Sequence, residues 1–203
     1  AMASVLDDNA VVAGDFRIDP AGHIRFALFA NERTGPQRVG RVVQRLCEIE
    51  TYRAMSMLGF SRARGLSPTI GALDVSLSEM MGEMTRARAP ADQTLKQLLN
   101  VSAELEAMAG QSAFRFGATG AYSALVNQRI SLLREVRFEG YQTMAEFMLR
   151  RFEPAMRTVQ STEKRLDVLA DRARRAGELL RTRVDVERSA QNQALLESMD
   201  RRA

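Results

Sequence analysis

His23 is the only histidine in the chain. It follows the turn Asp19-Pro20-Ala21-Gly22, with Asp15 and Asp19 close by in sequence. An imidazole beside carboxylates could ligate a metal; an exposed turn histidine is the plainer account. One histidine excludes a di-iron bundle, which needs two Glu-x-x-His pairs. It also excludes zinc sites assembled from several His and Cys. Glu79 and Glu83 stand at i and i+4 on a helix face, where they could offer oxygen ligands to a divalent cation. Acidic pairs at this spacing are usually just solvated, and no metal or cofactor is expected.

The run Phe116-Gly117-Ala118-Thr119-Gly120-Ala121-Tyr122 reads as a tight turn between helices, with Thr119 near the cap of the second. A helix N-terminus can hold a phosphate, but the Lys-Ser/Thr ending of a P-loop is missing. Cys47 is the only cysteine, so an intrachain disulfide is excluded; it reads as a buried structural thiol. There is no Gly-x-Ser-x-Gly, no Cys/His pair and no base beside a nucleophile. No catalytic residue can be named, and the chain reads as a non-enzyme.

The elements that must position these side chains are mostly helices. Of the 203 residues, 45% are hydrophobic and 27% charged, which suffices for a core. The length suits one domain, or one with an extension. Aromatics are 6%, with no Trp and 11 Met, a profile of helical proteins more than of β-sandwiches. No run of eighteen apolar residues occurs, so nothing in the sequence spans a membrane. The net charge is +4. Lys96 and Lys164 are the only lysines, and the other basic residues are arginines. They alternate with acids, as in Asp171 with Arg175 and Arg183 with Glu187, the i,i+4 spacing of mutual solvation on a helix. Nucleic-acid binding is therefore not expected.

Period-two alternation places strands over Ala10–Asp19 and His23–Ala30, a hairpin closed by the Asp19–Gly22 turn. The preceding Ala1-Met2-Ala3-Ser4 is not a signal peptide and reads as a cloning remnant ahead of an excised fragment. From Thr34 the period becomes helical. Pro36 suits a first turn, and Val39, Val42, Val43, Leu46, Ile49, Met55 and Leu58 mark one helix to about Leu58. A second starts at Ser67-Pro68 and a third at Pro90, with Leu95, Leu98, Leu105 and Met108 on its apolar side. A fourth runs from Thr119 to Phe138, ended by Gly140.

The last of these roughly five helices is very long and coiled-coil-like. With Phe152 at heptad position a, Val159, Leu166, Ala173, Leu180 and Ala194 follow at a, while Met156, Ala170 and Val184 are read as d. Glu187 breaks a; Glu163, Gly177 and Gln191 break d. About 48 residues at about 1.5 Å each span roughly 70 Å. A compact domain of this size is about 40 Å across, so part of the helix should project or pair with another chain. Phe152, Met156, Val159, Leu166, Leu180 and Val184 are the expected helix-packing or oligomer interface. The expected organisation is a hairpin segment over 1–33, a helical bundle over 34–150 and the long helix over 151–203.

Several stretches are similar to a known family: Asp15-Phe16-Arg17-Ile18; Gly40 to Arg53, most specifically from Gln44 on; Phe114-Arg115-Phe116-Gly117-Ala118; Leu180 to Val186; and Gln191 to Arg202. Together they resemble an uncharacterised bacterial family of predicted membrane-anchored proteins, a domain of unknown function. More distantly, that family is similar to CorA-type magnesium transporters. The resemblance implies an α/β region before the hairpin and apolar segments after Arg201 and Arg202, which would then be membrane-proximal. Since basic residues flanking a span are held inside, the chain would lie at the cytoplasmic face of the bacterial inner membrane. It implies a self-associating helical domain, which in a CorA-like protein would be the stem of an ion transporter. The alternatives are a coiled-coil scaffold or partner-binding module without transport, and a nucleic-acid-binding helical protein.

Overall fold

The computed structural model describes residues 1–86 and 90–200. The chain is mainly helical with a small N-terminal antiparallel sheet, as its periodicities predict. In order come β1 (Met2–Val5), β2 (Ala10–Gly14), β3 (Phe26–Ala30), α1 (Pro36–Arg86), α2 (Ala91–Leu133), β4 (Val136–Arg137), α3 (Met144–Arg151) and α4 (Glu153–Asp200).

The boundaries depart from expectation in three places. The first and second expected helices are one helix of 51 residues running through Pro68. A proline mid-helix loses one backbone bond and crowds the preceding turn; here an unbroken apolar stripe outweighs that. Val42, Leu46, Ile49, Ser56, Gly59, Ala63, Leu66, Ile70, Leu73, Leu77 and Met80 recur at steps of three and four, with one of seven after Ile49, and all are buried. The third and fourth expected helices are likewise one helix, α2, because Phe116–Tyr122 continues its stripe instead of turning. α2 also ends at Leu133, before the expected Phe138. Arg134 takes a left-handed φ of 49°, and Val136 and Arg137 pair with Ser4 and Ala3.

The sheet has the order β3-β2-β1-β4, so Met2–Val5 is an inner strand. Ala3, Ser4 and Val5 are buried. The hairpin is real but shorter than expected: β2 and β3 pair from Ala10↔Ala30 to Gly14↔Phe26, and Asp15 to Arg25 form a loop. Between β1 and β2, Leu6, Asp7 and Asp8 all have φ near 60°. Local bonds hold this turn: the Asn9 side-chain amide donates to the Leu6 and Asp7 carbonyls, and Ser4 Oγ donates to Asp8 Oδ1 at 2.6 Å.

The chain divides into two compact units, and α1, α2 and α4 each contribute to both. Unit 1 holds residues 1–63 and 114–160. Here α1 and α2 approach closely: a Cβ added at Gly59 would lie 2.0 Å from Thr119 Oγ1. Glu48 accepts from Arg129 in an ion pair between the same helices. α3 starts with a capping box, in which Thr143 Oγ1 accepts from the Glu146 N–H and Glu146 accepts from the Thr143 N–H. Unit 2 holds residues 64–113 and 161–203. There Asp74 accepts from both Arg165 at 2.9 Å and Arg172 at 3.2 Å.

Candidate functional site

The expected α4 interface is where a monomer puts its core. Phe152, Met156, Val159, Leu166 and Leu180 are buried, and Val184 is half-buried. The heptad needs one correction. Position d lies three residues after a, not four, and the structure buries Ala155, Leu169 and Ala176 there while Ala170 is half-exposed. Beyond Val184 burial stops: from Asp185 to Asp200 every residue is exposed, Ala194 included. Leu195, Leu196 and Met199 are 61%, 62% and 62% exposed within one stretch of that helix. Arg201 and Arg202 lie outside the described residues.

The other candidates separate. His23 is exposed, and its Nδ1 stands 3.7 Å from Asp19 Oδ1. Asp19 also accepts from the Ala21 and His23 N–H groups, and Asp15 accepts from the Arg17 N–H. Glu79 and Glu83 line a shallow groove with Asp74, both exposed. Among the described residues no group of three or more His, Cys, Asp or Glu could hold a metal ion. Thr119 is not a cap. It is buried mid-helix, and its Oγ1 donates to the Arg115 carbonyl at 2.8 Å, so no helix N-terminus exists there to receive a phosphate. Cys47 is exposed, contrary to expectation; one residue past the buried Leu46, it is rotated about 100° off the stripe. Arg183 pairs with Glu187 as expected, whereas Asp171 takes Arg174 instead of Arg175.

Among the concave sites of unit 1 that escaped the sequence reading, two carry several arginines. Arg38, Arg41, Arg45 and Arg134 surround a pocket of about 290 Å³ together with Asp7. Arg45 Nη1 donates to the Leu132 carbonyl at 2.8 Å. Arg45 therefore faces the last carbonyls of α2, the negative end of that helix. The i, i+3, i+7 spacing of the first three was legible; the arrival of Arg134 was not.

The second is a cavity of about 440 Å³ between the β2–β3 loop, α1 and α3. Its wall is built from Gly14 outward. A Cβ at Gly14 would lie 2.8 Å from the Phe26 ring, so only glycine lets that ring close over the strand end. Phe26 meets Phe16 edge-on at 5.4 Å, and Phe16 stacks on Phe147 at 4.2 Å. Phe16 has φ 52°, a conformation that costs a bulky residue about 1–2 kcal/mol. Asp15 Oδ1 bridges past it to the Arg17 N–H at 3.1 Å and holds the reversal. On α1, Arg53 is committed, its Nε and Nη2 donating to both Glu50 oxygens.

At the start of α3, Glu135 Oε2 accepts from the Met144 N–H at 2.6 Å, while its buried Oε1 has no partner among the described residues. Burial pushes this carboxyl above its usual range, against the lowering effect of the Met144 and Ala145 N–H groups.

Residues 1–203 match the model of a family described as "Protein of unknown function (DUF3422)". The chain belongs to that family. Its uncharacterised status agrees with the resemblance read from Gln44 to Arg53 and the stretches around it. Neither a curated protein nor a solved structure matches the chain. Among the described residues of this family member, no helix is long and apolar enough to cross a membrane.

Proposed function

We propose that the chain is a non-enzymatic helical module of a membrane-anchored protein, self-associating through the far end of α4. In this reading, segments outside the sequence hold it at the cytoplasmic face of the bacterial inner membrane. The observation that carries the self-association is the last part of α4. Sixteen consecutive residues, Asp185–Asp200, make a helix with no buried position, yet Leu195, Leu196 and Met199 form an apolar patch on it. Most helical stability in proteins comes from packing of an apolar face, and an apolar patch gains by being covered. A second copy of the same helix supplies such a cover. The buried residues from Phe152 to Leu180 are then the internal support of this helix end, not the contact itself.

Light scattering after gel filtration tests this. The mass should rise with concentration above that of one chain, and Leu195→Glu with Leu196→Glu should return it to one chain whose melting temperature equals that of wild type at high dilution. A wild-type chain that stays monomeric at every concentration sinks the reading. The CorA-like version adds ion transport by the full-length protein, and flux in liposomes separates it from a scaffold or partner-binding module. For the anchoring, a cysteine placed at Ser198 in full-length protein should resist an impermeant thiol reagent in intact cells.

A further inference from the structure

The geometry points to the cavity behind Phe16 as a binding site for a small amphipathic monoanion, a carboxylate or sulfate attached to a short apolar body. Four observations converge on it. The volume, about 440 Å³, falls within the roughly 300–1,000 Å³ of small-molecule sites. Phe16, Met57, Phe147, Met148 and Phe152 supply an apolar wall, with two methionines that adapt to an irregular body. Arg17 and Arg151 enter the lining from the β2–β3 loop and from α3. Both are exposed, and neither guanidinium has a carboxylate partner among the described residues. Arg53 also lines the cavity, but Glu50 neutralises it. Against the two uncommitted cations stands one carboxylate in the lining, Asp15. The site therefore carries one net positive charge, which a single anionic head balances.

The backbone gives the fourth observation. A bulky residue in the left-handed region is a true outlier, and such strain gathers at ligand clamps. The loop sequence could relax it by turning Phe16 outward. Instead, Asp15, Phe26 and Phe147 together keep the ring standing in the cavity wall, where it forms one side of the slot. A ligand lying along that wall would present its apolar body to Phe16 and Met57 and its head to Arg17 and Arg151. The assignment does not depend on how copies of the chain associate.

Calorimetric titration of the full chain with octanoate tests it, with 1-octanol and acetate as controls. Octanoate should saturate one site per chain. Octanol lacks the charge and acetate lacks the body, and each should bind at least tenfold more weakly. Arg17→Gln combined with Arg151→Gln should weaken octanoate tenfold or more while leaving the melting temperature unchanged, because both side chains are exposed. Phe147→Ala should also weaken it; if that variant does not fold, the arginine pair still decides. Octanol binding as well as octanoate would show a bare apolar crevice, and acetate doing so an ordinary surface charge effect. Either result overturns the assignment, as does an arginine pair variant with wild-type affinity or the absence of saturable octanoate binding.

Discussion

Gly59 and Glu135 show how single residues govern this chain through what surrounds them. Gly59 is not needed for its φ; it is needed because Thr119 leaves no room for a Cβ. Gly59→Ala should destabilise the fold by about 1–3 kcal/mol, the usual cost of overpacking, although alanine is the better helix former. Urea unfolding of the single variant and of Gly59→Ala with Thr119→Ala will read this, and the double variant should recover part of the loss. Glu135 carries a pH dependence. Its folded carboxyl is raised by burial, with Glu146 adding repulsion, so the folded state holds this proton more tightly than the unfolded chain. The resulting stability is complete below the unfolded value near 4.5 and is lost as pH rises through the raised folded value. Glu135→Gln keeps an acceptor for the Met144 N–H and removes the buried charge. It should be at least as stable as wild type at pH 7, show no gain at pH 4, and flatten the stability profile between.

At the scale of elements, α4 is two things joined end to end. As far as Leu180 it carries a buried stripe at steps of mostly three and four; after Val184 it carries none. Leu166→Ala should therefore cost about 2–5 kcal/mol, while Leu196→Ala should stay within about 0.5 kcal/mol in dilute solution. Thermal melts of both variants at low protein concentration give the comparison. α3 depends on its start instead: only eight residues long, it leans on a capping box, and Thr143→Ala should lose about 1 kcal/mol.

For the whole molecule, the consequence of the bare α4 end is mass action. If copies pair through Asp185–Asp200, the melting temperature rises with protein concentration. A chain ending at Val184 should keep a melting temperature that does not change with concentration, and should match the full chain at high dilution. Equal concentration dependence in both chains would move the contact elsewhere. Circular dichroism should show more than about half helix in both, as the sum of four helices demands.

The fold class and the apolar stripes were legible in the sequence because periodicity is a local property, fixed by which side chains recur every two or every three to four residues. That the chain has one His and one Cys, hence no multi-His or disulfide chemistry, was equally plain, as was the family resemblance around Gln44–Arg53. Only the tertiary structure decided where helices stop. Pro68 and the Phe116–Tyr122 glycines look like breaks from their own types, yet packing on both sides carries the helix through them. Arg134 ends α2 with no glycine to announce it, because Val136 and Arg137 pair with a strand more than a hundred residues away in the chain. Met2–Val5 is too short to signal a strand, and becomes one by lying between β2 and β4. The cavity behind Phe16 is likewise invisible locally. Phe16, Arg53 and Arg151 are remote from one another in sequence, and they meet because the β2–β3 loop folds back onto helices whose order and register are set by the core.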